Sequence, residues 1–148
     1  MDDTSTQRGF TEIQIAEEKK RPRLVIAEDA VLIQENIRRV VQPDCDVVAA
    51  VEDGDAVIEA VATHAPDILL LDVSLPGMNG FAVAEQLKLA ESRVNVIFLT
   101  AHRDREYADR AFEIGAKGYI LKGSMWTELP RAIHVVAGGG CYRSPLVP

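Results

Sequence analysis

Residues 68–80 read ILLLDVSLPGMNG. Four apolar residues, Ile68 to Leu71, run directly into the carboxylate of Asp72, and a turn-forming stretch, Leu75-Pro76-Gly77-Met78-Asn79-Gly80, follows at once. A short apolar run bounded by turn residues predicts a strand buried on both faces, the kind found inside a parallel sheet. A charge at the end of such a strand either caps a neighbouring element or performs chemistry.

Working outward, strand-like and helix-like periods alternate. Leu24–Ala27 is a second short apolar run, and Ala30–Gln42 carries Ile33, Ile37, Val40 and Val41 at helical spacing before Pro43. Asp46–Val51 reads as a strand, and Asp53 as the cap of a helix through Ala56, Val57, Ala60 and Val61. After the opening strand, Gly80–Ala90 reads as a helix, Val94–Leu99 as a strand, and Asp104–Ile114 as a helix closed by Gly115 in a left-handed cap. Gly118–Leu121 is the fifth strand, and Thr127 opens a last helix that ends at Gly138-Gly139-Gly140. Five strand–helix units predict a doubly wound, five-stranded parallel sheet with helices on both faces. Residues 1–22 are polar and poor in large apolar side chains, and read as an arm with a short helix around Thr11–Lys20.

Composition narrows the function. A chain of 148 residues suits one domain that buries its own core, and its net charge of −7 argues against direct nucleic-acid binding. Cys45 and Cys141 form no metal-binding or disulfide pattern, which suits a reduced, cytoplasmic setting. No apolar run is long enough to span a membrane.

In doubly wound sheets ligands bind beyond the carboxyl ends of the strands. Those positions hold Glu28 and Asp29 after the first strand, Asp72 after the third, Thr100 after the fourth and Lys122 after the fifth. Singly, Asp29 and Thr100 read as helix caps and Lys122 as a surface lysine. Together they change meaning. Clustered carboxylates repel one another, and a hard divalent cation such as Mg²⁺ relieves them. A lysine and a hydroxyl beside that cation suit a phosphoryl group, and a carboxylate is a competent phosphoryl acceptor. Asp72 is the candidate nucleophile.

With Glu28-Asp29, LLLDVSLPGMNG around Asp72, FLTA with Thr100 and GAKGYILK with Lys122, the chain resembles the response-regulator receiver domain of two-component signalling over about residues 23–140. GAKGYILK, ELPRAI and GGGCYRSP resemble its NarL-type subfamily. The resemblance implies a flavodoxin-like (βα)5 fold and a phospho-acceptor, Asp72, that takes phosphate from a sensor histidine kinase or phosphotransfer protein and loses it slowly. It implies Mg²⁺ held by Asp29, Asp72 and the main-chain carbonyl of Ser74, with Glu28 acting nearby. Thr100 and Lys122 would contact the phosphoryl group, Tyr119 stands at the switch-aromatic position, and Ser74 and His102 at rim positions that tune phosphate loss. His64 and His134 have no ligand spacing with His102. Tyr119 also reads as a plain core aromatic.

The resemblance also implies a surface over residues 104–140 that changes on phosphorylation, for homodimerisation or control of an output. In the NarL-type group a linker and a helix-turn-helix DNA-binding domain normally follow. Residues 141–148 resemble the start of that linker, so a receiver fragment of a transcription factor is expected, with a stand-alone receiver as the alternative. Two departures stand out: Gly123 follows Lys122 where the wider family often has cis-proline, and the first acidic residue is Glu28 where Asp is usual.

Other classes fit less well. A pseudo-receiver that only binds proteins would not need the complete set of side chains. An FMN carrier would want a Ser/Thr/Gly-rich loop where Glu28-Asp29 stands, and Lys122-Gly123-Ser124 lacks the order of a P-loop. A haloacid-dehalogenase-type phosphatase would want a second Asp where Ser74 stands.

Overall fold

A computed structural model of the chain describes residues 21–148, so the expected arm helix around Thr11–Lys20 lies outside the described residues. The elements are β1 (Arg23–Ala27), α1 (Val31–Val41), β2 (Asp46–Val51), α2 (Gly54–His64), β3 (Ile68–Asp72), α3 (Gly80–Leu89), β4 (Asn95–Thr100), α4 (Arg105–Ile114), β5 (Gly118–Leu121), a 3-10 turn (Lys122–Ser124), α5 (Met125–Ala137) and β6 (Tyr142–Arg143). The strands pair in the order β2-β1-β3-β4-β5-β6, and every pairing is parallel. The flavodoxin-like architecture expected from the sequence is therefore present. A sixth, two-residue strand on the far edge is added to it.

Strand alternation divides the core into two layers. Leu24, Ile26, Ile68, Leu70, Ile97 and Leu99 pack toward α1 and α5. Val25, Leu69, Leu71 and Phe98 pack toward α2, α3 and α4. All five residues of β3 are buried, which explains its unbroken apolar run. Each of Leu69, Leu70 and Leu71 is fully buried and contributes about 1.5–3 kcal/mol of transfer free energy.

Local signals set most boundaries. Asp53 Oδ1 accepts a hydrogen bond from the Ala56 N–H at 2.8 Å and starts α2. Asp53→Ala should cost about 1 kcal/mol. Urea unfolding would show it as a lower midpoint at unchanged slope, and an unchanged midpoint would refute the cap. Gly115 ends α4 with φ of 108°, in the left-handed region that favours glycine. Gly80 starts α3 where a Cβ would lie 2.7 Å from the Asp72 carbonyl oxygen and 2.8 Å from Val73 Cα. Only glycine lets the helix start so close to the end of β3.

The last helix differs from expectation. It begins at Met125, because the 3-10 turn at Lys122–Ser124 runs straight into it. Thr127 sits inside the first turn and donates its hydroxyl back to the Ser124 carbonyl at 3.0 Å.

Candidate functional site

The strand order reverses between β1 and β3, so the crevice beyond their carboxyl ends is the expected ligand position. Register places the acidic residues there: Ala27 lies opposite Leu71, which brings the next residues, Glu28 and Asp72, side by side. Carboxylate oxygens of Glu28, Asp29 and Asp72 all lie within 4.8 Å of one another. Glu28 and Asp72 are buried, at 1% and 2% exposure, and Asp29 is exposed. The strand-end charge in ILLLD thus belongs to a cluster.

One cation reaches the cluster from β5. Lys122 Nζ lies 2.8 Å from Asp72 Oδ2 and 2.9 Å from Glu28 Oε1. The other Asp72 oxygen, Oδ1, accepts from the Ser74 N–H at 2.9 Å. Glu28 Oε2 accepts from the Ala30 N–H at 3.1 Å. The approach of Lys122 to Glu28 Oε1 is close but poorly directed, and that buried oxygen accepts no hydrogen bond. Burial pushes the Glu28 carboxyl above its ordinary value, against the lowering by Lys122 and the Ala30 N–H. Burial alone would lower the Lys122 ammonium, but its hydrogen bond to Asp72 and the neighbouring charges of Asp72 and Glu28 outweigh this and hold it above the usual lysine value. Lys122 therefore stays charged.

The helix-cap readings of Asp29 and Thr100 do not hold, whereas Tyr119 does sit in the core. Asp29 caps nothing: Ala30 is the N-cap of α1, without a side-chain hydrogen bond. Thr100, at 1% exposure, lies well before Asp104, the N-cap of α4, and its Oγ1 accepts from the His102 N–H at 3.0 Å. Tyr119 is fully buried, and its hydroxyl donates to the His102 carbonyl at 2.8 Å. The His102 peptide groups therefore join Thr100 to Tyr119, a link invisible in a sequence because it uses main-chain atoms. The His102 ring stacks on Tyr107 of α4 with centroids 4.5 Å apart. Ser74 is exposed at the mouth of the site.

A cavity of about 270 Å³ adjoins the cluster, lined by Thr100, Arg103, Lys122, Gly123 and Leu146. A cavity of about 320 Å³ opens at the opposite ends of the strands beside Arg21, Asp44 and His134. Only the first is lined by Thr100 and by Lys122, which reaches the acidic cluster.

Comparisons with known proteins agree with this geometry. Residues 24–134 match the family model of the response regulator receiver domain. The chain is 35% identical over 127 residues to the transcriptional regulatory protein DegU of Brevibacillus brevis, covering 84% of this chain and 54% of DegU. It is 33% identical over 123 residues to the oxygen regulatory protein NreC of Staphylococcus epidermidis, covering 81% and 56% of the two chains. It spans about half the length of the curated relatives it matches. Among solved structures it superposes on the signal receiver domain of NarL from Mycobacterium tuberculosis with a TM-score of 0.76 at 33% identity, covering 80% of this chain and 98% of that one. A LuxR-family two-component response regulator from Aurantimonas gives a TM-score of 0.81 at 29% identity, covering 85% and 91%. The NarL-type resemblance is borne out. Because the match runs from β1 through most of α5, across the crevice that holds the acidic cluster, this chain belongs to the response regulator receiver domain family.

Proposed function

We propose that this chain is a phosphorylatable receiver. Asp72 accepts a phosphoryl group from a sensor histidine kinase or phosphotransfer protein in a Mg²⁺-dependent reaction, and the surface over residues 104–140 changes in response. The observation that carries this is the placement of Asp72: a buried carboxylate at the end of β3, 2.8 Å from Lys122 and clustered with Glu28 and Asp29.

The donor set fits Mg²⁺. Among the described residues, three carboxylates face a single ammonium, and one buried oxygen, Glu28 Oε1, accepts no hydrogen bond. A hard cation with oxygen ligands satisfies both conditions. Asp29, Asp72 and the Ser74 carbonyl would hold it, with Glu28 beside them. When bound, it would offset charge on the phosphoryl oxygens.

The chain's own residues do the rest. A carboxylate oxygen of Asp72 forms the bond to phosphorus as the bond from phosphorus to the donor atom breaks, and the leaving group keeps that electron pair. Ser74 N–H orients Asp72 through Oδ1. Lys122 moves its hydrogen bond from Asp72 Oδ2 to a phosphoryl oxygen. Thr100 gives up the His102 N–H and turns its hydroxyl to the same group. That loosens the His102 peptide held by Tyr119, and with it the start of α4. The switch is local electrostatics acting on a packed element with two arrangements. No second acid/base stands at Ser74, which favours a slow switch over rapid turnover. The kinase contact, any homodimer and a cytoplasmic setting belong to this reading, with DNA bound only through a further domain. Among the described residues no helix is long and apolar enough to cross a membrane.

The test is incubation with Mg²⁺ and acetyl phosphate followed by intact mass measurement. A single phosphate adduct that requires Mg²⁺ is expected, and no adduct with any donor would overturn the reading.

Glu28 gives a pH prediction. Its carboxyl is raised by burial, so a proton competes with Mg²⁺ up to that raised value. Mg²⁺ affinity should strengthen as pH rises through it, by at most about tenfold per pH unit for one proton. The metal-free fold should lose stability over the same interval, because the folded state holds the proton more tightly than the unfolded one. Calorimetric Mg²⁺ titrations across mildly acidic pH check this. An unchanged slope in Glu28→Gln would remove Glu28 as its source.

A further inference from the structure

Beyond α5 the chain turns back along the open edge of β5. The Tyr142 N–H donates to the Lys117 carbonyl at 2.8 Å, and the Ser144 N–H to the Tyr119 carbonyl at 2.9 Å. Alternation then sends Tyr142 and Ser144 to one side and Arg143 to the other. Arg143 pairs with Asp109 of α4 at 3.0 Å and covers the Phe112 ring at 5.0 Å. Tyr142 and Ser144 both donate their hydroxyls to Glu128 Oε1 at 2.8 Å. The Ser124 hydroxyl donates to Glu128 Oε2.

This network brackets Lys122. Ser144, at 1% exposure, accepts the Leu121 N–H at 3.0 Å on one side of the lysine. Ser124 is held by Glu128 on the other. The peptide between them faces open space on its Cβ side: a Cβ at Gly123 would meet nothing within 4 Å. Hydrogen bonds hold the turn, and Glu128 takes three of them. Burial and the bond to Glu128 push the Tyr142 phenol up to about 12, so it remains a donor.

We propose that Glu128 is a positioning residue for the phosphoryl site: with Ser124, Tyr142 and Ser144 it fixes the peptide that carries Lys122, and so makes docking of residues 142–147 a condition for full phosphoryl transfer to Asp72. This rests on the function proposed above. It commits the segment after α5 to a role in the chemistry, because docking of that segment and engagement of Lys122 must favour each other by linkage.

The test measures initial rates of phosphorylation by acetyl phosphate with saturating Mg²⁺. Glu128→Gln has one carbonyl oxygen for three donors, and Ser144→Ala leaves the Leu121 N–H unpaired. Each should lower the rate about tenfold, a small displacement of a reacting group being enough for that. Mg²⁺ affinity should not fall, since Lys122 is no metal ligand and only neutralises the same carboxylates. In a Lys122→Met background the Glu128→Gln effect should vanish, because the clasp acts only through that lysine. Ser144→Thr, which keeps a hydroxyl, should recover most of the rate. Circular dichroism reports the fold of each variant, and if Glu128→Gln unfolds, Ser144→Ala decides. A wild-type rate in the folded variants overturns the proposal, as does an equal fractional loss in the Lys122→Met background. Wild-type protein that takes no phosphate at all refutes the underlying function instead.

Discussion

Asp72→Asn is expected to abolish phosphorylation by acetyl phosphate, a loss of at least about 10³-fold, in the range for removing a nucleophile. The amide keeps the shape of the carboxylate. Its oxygen still accepts from the Ser74 N–H or from Lys122. What disappears is the negative oxygen able to attack phosphorus. The variant should therefore stay folded and should melt no lower than wild type, since one of three mutually repelling carboxylates is gone. A phosphate adduct at the wild-type rate in Asp72→Asn would move the acceptor elsewhere.

Lys122→Met is expected to show two large effects that separate cleanly. Removing one donor to the transferring group should slow phosphorylation about 10²-fold. In the metal-free protein it also leaves Asp72 and Glu28 buried without a counter-charge, which costs up to about 3 kcal/mol for a broken buried pair. Mg²⁺ should restore much of the stability and little of the rate. Thermal melts with and without Mg²⁺, set beside intact-mass kinetics, check both. Rate recovery equal to stability recovery would reduce Lys122 to a purely structural counter-ion.

The central part of the molecule was legible because its signals are local. The buried run Ile68–Leu71 could only be an inner strand, and Asp53 and Gly115 announced their helix ends through their own chemistry. Parallel strands then forced Glu28, Asp29, Asp72, Thr100 and Lys122 onto one rim, so the site followed from topology. The parts that were not legible depend on contacts between distant segments. β6 is two residues long and exists only because the edge of β5 is free to pair with it. Ser124 is the N-cap of α5 but makes no side-chain cap bond, its hydroxyl going to Glu128 instead. Nothing in the run ELPRAI singles out Glu128, because its partners Tyr142 and Ser144 reach it only across the fold. The period-two spacing of Tyr142 and Ser144 after the glycine run was the one available hint.

The position of the phosphate on the chain decides whether Asp72 is the acceptor. Borohydride reduction of the phosphorylated protein converts an aspartyl phosphate to homoserine, and peptide mapping then reads its position. Homoserine at residue 72 alone, dependent on Mg²⁺ and on acetyl phosphate, is the result this account requires. Homoserine at another acidic residue, or a phosphate that survives reduction on a hydroxyl or imidazole, would contradict it.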